Sequence, residues 1–81
     1  MKTEYIIMDT SVKYLNARNP LEEGLLYVGE KDWCRKLENA HKFTDSASAV
    51  DVAKILRIEL PVKVLIIQTE GNQIGVGEVK F

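Results

Sequence analysis

Ala40-His41-Lys42-Phe43-Thr44-Asp45-Ser46-Ala47-Ser48-Ala49-Val50-Asp51-Val52-Ala53-Lys54-Ile55-Leu56 is the stretch around which the chain is organised. Ala49, Val52, Ala53 and Leu56 recur at i, i+3, i+4 and i+7, the spacing of one apolar helical face. Asp51, Lys54 and Arg57 fall mostly on the other side. Thr44-Asp45-Ser46-Ala47-Ser48 precedes that face with side chains that accept hydrogen bonds from the free N–H groups of a helix start. Asp45, Ser46 and Ser48 are all eligible as N-cap, and Ser48 to Asp51 has the spacing of an acidic capping box. Phe43 anchors the approach, and Pro61 is placed to stop a helix ending near Arg57 or Ile58.

On the C-terminal side, Val62-Lys63-Val64-Leu65-Ile66-Ile67-Gln68-Thr69 is the strongest strand signal. It begins in alternation and becomes apolar on both faces, as a central strand does. Gly71-Asn72 fits a two-residue hairpin turn, because both residues tolerate positive φ. Ile74-Gly75-Val76-Gly77-Glu78-Val79-Lys80-Phe81 completes the hairpin. Gly75 and Gly77 share a face there, where the helix or Trp33 is expected to pack close.

On the N-terminal side, Tyr5-Ile6-Ile7-Met8 reads as a first strand. Asp9-Thr10-Ser11 is a polar break, and Val12-Lys13-Tyr14-Leu15 is expected to return antiparallel. Asn16 to Pro20 breaks the pattern, and Leu21-Glu22-Glu23-Gly24 is one helical turn or loop. Leu25-Leu26-Tyr27-Val28 is the next strand, ended by Gly29. Lys31 to Asn39 fits two descriptions. One is a short amphipathic helix through Trp33, Cys34, Leu37 and His41. The other is a strand through Trp33 followed by a turn at Leu37-Glu38-Asn39-Ala40. The sum is one α+β domain over residues 1–81: a four- to five-stranded, mainly antiparallel sheet with one main helix on one face.

Composition narrows the function. At 81 residues the chain is one domain with a thin core. It is 46% hydrophobic and 28% charged, which excludes disorder. A net charge of -1 lacks the basic excess of a dedicated nucleic-acid binder and the acidic excess of a DNA mimic. The single cysteine, Cys34, forms no intrachain disulfide, which favours a reducing cytoplasm. No apolar run reaches the length of a membrane span, and the apolar run after Met1 to Glu4 is too brief for a signal peptide.

No catalytic signature is evident, and the chain is expected to be a non-enzyme without cofactor or metal. Cys34 and His41 share a helical face if residues 31–41 are helical, but no third group completes a nucleophilic or zinc site. Glycines 71, 75 and 77 lie in a hairpin rather than between a strand and a helix, unlike a phosphate loop. Glu22-Glu23 and Glu70 with Glu78 are carboxylates with no sign of a shielding pocket. Lys31, Arg35, Lys36, His41 and Lys42 around Trp33 form the densest basic region. Glu30, Asp32 and Glu38 balance it, so a solvated face is the simpler account and RNA or DNA binding the alternative. Trp33, Arg35, Lys36, Lys42 and Tyr27 are the candidate partner-binding residues, with aromatics as anchors.

Tyr5-Ile6-Ile7, Tyr14-Leu15-Asn16, Trp33, Ala40-His41-Lys42-Phe43-Thr44 and the Ala49, Val52, Ala53, Leu56 face follow one another in a recognisable order. That order resembles small orphan proteins of bacteriophages and mobile elements in Firmicutes. Those carry an N-terminal "Y-I-I…Y-L" hairpin, a lone Trp, an "A-x-x-F" segment and an amphipathic helix. The resemblance covers the first two thirds of the chain and supplies no functional residue. It implies a phage-encoded accessory protein in the host cytoplasm, from a population that includes anti-CRISPR inhibitors. The implied partner is a protein, such as a CRISPR effector complex. A homodimeric accessory protein joined through edge strands is a further alternative.

Overall fold

The computed structural model describes residues 1–14, 17–30 and 32–81. Among these residues five strands form one antiparallel sheet: β1 (Lys2–Asp9), β2 (Leu25–Gly29), β3 (Asp32–Cys34), β4 (Val62–Glu70) and β5 (Gln73–Val79). Their spatial order is β3-β2-β1-β4-β5, so the first strand is the central one. The α-helix, α1 (Ser46–Leu56), lies against β1 and β4.

β1 is central because Ile6, Ile7 and Met8 have no solvent-exposed surface, with successive side chains buried on opposite faces. Ile7 joins Val62, Val64, Ala49 and Ala53 beneath the helix. Ile6 and Met8 join Leu26, Leu65, Ile67 and Ala40 on the far face, with Leu21 and Leu37 packed against them. Two short 3-10 turns, Pro20–Glu22 and Leu37–Asn39, carry those last two leucines. The sheet is therefore covered on both faces, by a helix on one and by loops on the other.

The expected strand at Val12–Leu15 does not form over its described part, and Leu15 itself lies outside the described residues. The physical reason is the Asp9-Thr10-Ser11 break. Asp9 Oδ1 accepts from both the N–H (2.8 Å) and the hydroxyl (2.6 Å) of Ser11, closing a tight side-chain turn. Thr10 then donates its N–H (2.8 Å) and its hydroxyl (2.7 Å) to the Pro61 carbonyl, which ties the chain to the start of β4 instead of a hairpin partner. β1 pairs instead with β4 over its whole length, from Lys2↔Thr69 to Asp9↔Val62.

β1 and β2 share only two registered pairs, Met8↔Leu26 and Asp9↔Leu25. Beyond them the strands part, and residues 41–43 fill the gap. Phe43 exchanges two main-chain hydrogen bonds with Tyr5 (2.8 and 2.9 Å), and the His41 N–H donates to the Tyr27 carbonyl (2.8 Å). Ala40 packs on the far face and Phe43 under the helix, so the chain crosses the sheet at this gap and enters α1.

Of the eligible N-caps, Asp45 is the one used. Its carboxylate accepts from the Ser48 N–H (2.7 Å) and hydroxyl (3.0 Å). The helix ends at Leu56, where Arg57 caps it by donating its N–H to Ala53. Residues 31–39 resolve in favour of strand and turn: β3 followed by the Leu37–Asn39 3-10 turn, with Lys31 outside the described residues. The β4–β5 hairpin closes at Glu70↔Gln73 with Gly71 at φ 59°, as its Gly-Asn pair requires. Gly75 and Gly77 do share a face, but neither the helix nor Trp33 packs over them. The nearest atoms to a β-carbon at either position belong to β4.

Candidate functional site

The five candidate partner-binding residues do not form one patch. Tyr27 and Trp33 are cross-strand neighbours on the helix face, edge to face with ring centroids 5.7 Å apart. The row continues through His41 (6.5 Å from Tyr27) to Phe43 (4.5 Å from His41). Each pair is close to perpendicular, the geometry that sets a positive ring edge on a negative ring face. The row is a rigid seam between β3, β2 and the strand-crossing segment, and Trp33 stands at its outer end.

The cations lie elsewhere. The Arg35 guanidinium sits 3.6 Å from the Tyr14 ring centroid. The Lys42 ammonium donates to the carbonyls of Leu37 (2.8 Å), Ala40 (3.1 Å) and Glu38 (3.4 Å), closing off the end of the Leu37–Asn39 turn. Arg35 and Lys36 together line a groove away from Trp33, with Asn19, Leu21, Glu22 and Glu38. The basic region read from the sequence is thus divided by the fold. One of its cations is held by backbone carbonyls, one is stacked on a tyrosine, and Lys31 lies outside the described residues.

The catalytic possibilities disperse as well. Cys34 packs with the far-face core and directs its Sγ to the Lys36 carbonyl (3.2 Å), while His41 sits in the aromatic row. Glu70 and Glu78 stand at opposite ends of the hairpin. Glu23 pairs with Lys63 at 3.6 Å, and Glu22 accepts from the Arg18 N–H (2.9 Å). Among the described residues no three His, Cys, Asp or Glu side chains converge on a metal-sized space. A cleft of about 700 Å³ lies between Met8, Tyr14 and Pro61. Among the described residues its polar lining comprises the Glu23–Lys63 pair, Lys13, Thr10 and Tyr14.

The feature the sequence reading missed lies beside Trp33. Ile55 is 69% exposed and Ile58 is 83% exposed, although both are large and apolar. With Trp33, Leu56, Leu60 and Glu59 they line a groove of about 300 Å³ between the C-terminal end of α1 and the β3 edge. Ile55 is outside the Ala49, Val52, Ala53, Leu56 face, and that misfit is the sequence signal for it. Ile58 follows the helix in a turn held by the N–H groups of Ile58, Glu59 and Leu60 on the carbonyls of Ile55 and Leu56. No helix among the described residues is long and apolar enough to cross a membrane. No protein-family model, curated protein or solved structure matches this chain.

Proposed function

We propose that this chain is a non-enzymatic protein-binding module whose contact surface is the Trp33 groove. The observation that carries the reading is the exposure of Ile55 and Ile58 beside a half-buried tryptophan. Single exposed apolar residues are ordinary, but adjacent ones rimming a groove with an aromatic wall have the make-up of an interface centre. Binding is favoured over chemistry because the Cys34, His41, Glu70 and Glu78 side chains are dispersed, and Lys42, Glu22 and Glu23 are held in structural contacts. The resemblance of Tyr5 to Leu56 to phage orphan proteins narrows the role to an inhibitor that occupies a surface of a host defence complex, such as a CRISPR effector.

The test is an affinity pull-down from host lysate with the wild-type chain and the Ile58→Asp variant, each with and without nuclease. A stoichiometric protein retained after nuclease by the wild type and lost by the variant is the expected result. Equal retention by both removes the groove from the account. Material that vanishes with nuclease moves the function to RNA or DNA binding through the Arg35 to Lys42 region. An enzymatic activity abolished by a point substitution refutes the non-enzymatic reading.

A homodimer is favoured by one separate observation, the free edge of β5. With Gln73 paired to Glu70 beside the turn, alternation directs the main-chain groups of Ile74, Val76 and Glu78 away from β4. This edge has no proline, and Ile74 is 54% exposed on it. Sedimentation equilibrium of the wild type and of Val76→Pro decides that reading. A mass that falls to the monomer only in the variant supports it, and a monomer in both refutes it.

A further inference from the structure

We infer that β5 pairs antiparallel with β5 of a second copy, in the register that sets Ile74 of each copy opposite Val76 of the other. This rests on the homodimer reading and specifies how the two copies meet.

The two edges of the sheet are built differently. β3 is three residues long, exposes Asp32, and meets β2 through a register shift between Tyr27 and Gly29. Short strands, charges and bulges are the means by which sheets blunt an edge. β5 is seven residues long, lacks proline and runs in unbroken register with β4 from Gln73↔Glu70 to Val79↔Val64. Its one charged residue, Glu78, stands next to its end. Among the described residues β4 is its only neighbouring strand. The outward N–H and C=O groups of Ile74, Val76 and Glu78 form a row at strand spacing. A strand laid alongside satisfies such a row in series, and a helix or a small ligand does not.

A second β5 satisfies it with two-fold symmetry. Outward-facing residues must meet outward-facing residues, so the axis runs through a residue that faces its own copy. The centres that overlap the strands are Ile74, Gly75, Val76, Gly77 and Glu78. Glu78 at the centre sets like charges directly opposite each other, which destabilises. Gly77 sets Val76 against Glu78 and Ile74 against Lys80. Val76 sets Ile74 against Glu78, and Ile74 leaves Val76 against Asn72 of the turn. Gly75 at the centre sets Ile74 against Val76 on both sides of the axis, so every apolar side chain of this face of β5 gains a β-branched neighbour. Ile74 is 54% exposed and therefore has apolar surface to lose. The same face carries a groove of about 410 Å³ lined by Asn19, Pro20, Leu21, Ile74 and Val76, which gives the second copy's Ile74 and Val76 apolar cover. Gly75 leaves open main chain at the axis, with the nearest atom 3.9 Å from a β-carbon placed there. The Trp33 groove lies at the opposite edge, so the pairing leaves it open in both copies.

The experiment is oxidative cross-linking of single-cysteine variants in a Cys34→Ser background, which keeps a donor for the Lys36 carbonyl. In the Gly75-centred register the two copies of residue 75 face each other without ladder bonds, with Cα atoms about 4.5 Å apart, inside the range of a disulfide. Gly75→Cys is therefore expected to cross-link. Val76→Cys lies two residues out of step with its own copy and Gln73→Cys four residues, or about 14 Å, so neither is expected to. Circular dichroism and melting curves verify that each variant folds. Sedimentation equilibrium accompanies the cross-linking and includes Ile74→Lys, which removes both apolar pairs and weakens the dimer about two- to thirtyfold. Cross-linking through Gln73→Cys as fast as through Gly75→Cys reports chance collision and overturns the inference. A dimer that cross-links through Val76→Cys and not through Gly75→Cys overturns the register and leaves the homodimer reading standing. A dimer that neither cysteine cross-links and that Ile74→Lys leaves unchanged overturns both, because the copies then meet elsewhere. A wild-type monomer at every concentration also overturns both, and leaves the β5 edge to a strand of another protein.

Discussion

Replacing glycine by alanine at three positions in turn separates steric cost from unfolded-state gain. In every case the added methyl stabilises by about 0.4–1 kcal/mol through the unfolded chain, which loses backbone freedom. What differs is what the methyl meets. At Gly24 it overlaps the carbonyl oxygen of Asp9 and comes to 3.0 Å from the Met8 side chain. A backbone oxygen cannot rotate away, and this one belongs to the two-pair junction of β1 with β2. Overpacking of this kind costs about 1–3 kcal/mol, with main-chain displacement at the upper end. The net loss for Gly24→Ala is about 2–2.5 kcal/mol, against a total of about 4–12 kcal/mol for a chain of this length. At Gly77 the methyl meets only the Ile66 Cγ2 at 3.0 Å. A side chain at a half-buried site gives way, so the net change is within about 0.5 kcal/mol of zero. At Gly75 the nearest atom is the Gln68 carbonyl oxygen at 3.9 Å, an ordinary contact, and the position is exposed. There the unfolded-state gain stands alone. With about 4–8 °C per kcal/mol in a domain of this size, Gly24→Ala melts about 8–20 °C lower and Gly75→Ala about 2–8 °C higher. Thermal and urea unfolding followed by circular dichroism read the order directly, with an unchanged urea slope as the sign that the unfolded state is comparable. A Gly24→Ala protein as stable as wild type refutes the close approach of Gly24 to β1, and with it the placement of β2 beside the central strand.

Lys42→Met removes an ammonium held by three carbonyls at 2.8–3.4 Å, so it lowers stability by about 1 kcal/mol in urea unfolding. An unchanged midpoint means that this lysine projects into solvent and is free for a nucleic acid. Asp45→Ala deletes the cap that accepts from the Ser48 N–H at 2.7 Å, which costs about 1 kcal/mol, while Asp45→Asn retains most of it. Equal losses for both assign the effect to charge instead of the cap. Ile7→Ala empties a site with no exposure under α1 and costs about 2–5 kcal/mol. A loss under 1 kcal/mol in the same melts places Ile7 outside the core.

The fold was legible where local chemistry and burial agree. α1 announces itself by a 3.6-residue apolar period behind a capping segment, and β4–β5 by a central-strand run closed with Gly-Asn. Both depend on residues near in sequence, so the pattern holds the answer. Val12 to Tyr14 looked like a strand because apolar and aromatic residues favour one. The outcome was decided by Thr10 reaching the carbonyl of Pro61, more than fifty residues away. The seating of β1 against β4 is likewise a long-range pairing that no local window contains. The Lys31–Asn39 ambiguity had the same source, since Trp33 and Leu37 are apolar at a helical spacing. In the fold they pack, half-buried, against opposite faces of the sheet.

The site was less legible than the fold, for a related reason. A sequence shows which cations and aromatics are near one another along the chain, and Trp33, Arg35, Lys36 and Lys42 qualify. It does not show where their ends go. Lys42 turns back on the carbonyls of the turn it follows, and Arg35 lies on Tyr14, a residue from the far side of β2 in sequence. What remains beside Trp33 is brought there by the end of α1, more than twenty residues later. Ile55 and Ile58 carried a readable signal only by failing the helical period, which is the mark of an apolar residue the core does not use. An 81-residue chain has a thin core and little apolar material to spare. Two isoleucines left outside it, next to the one tryptophan, are the reason for proposing the binding surface there.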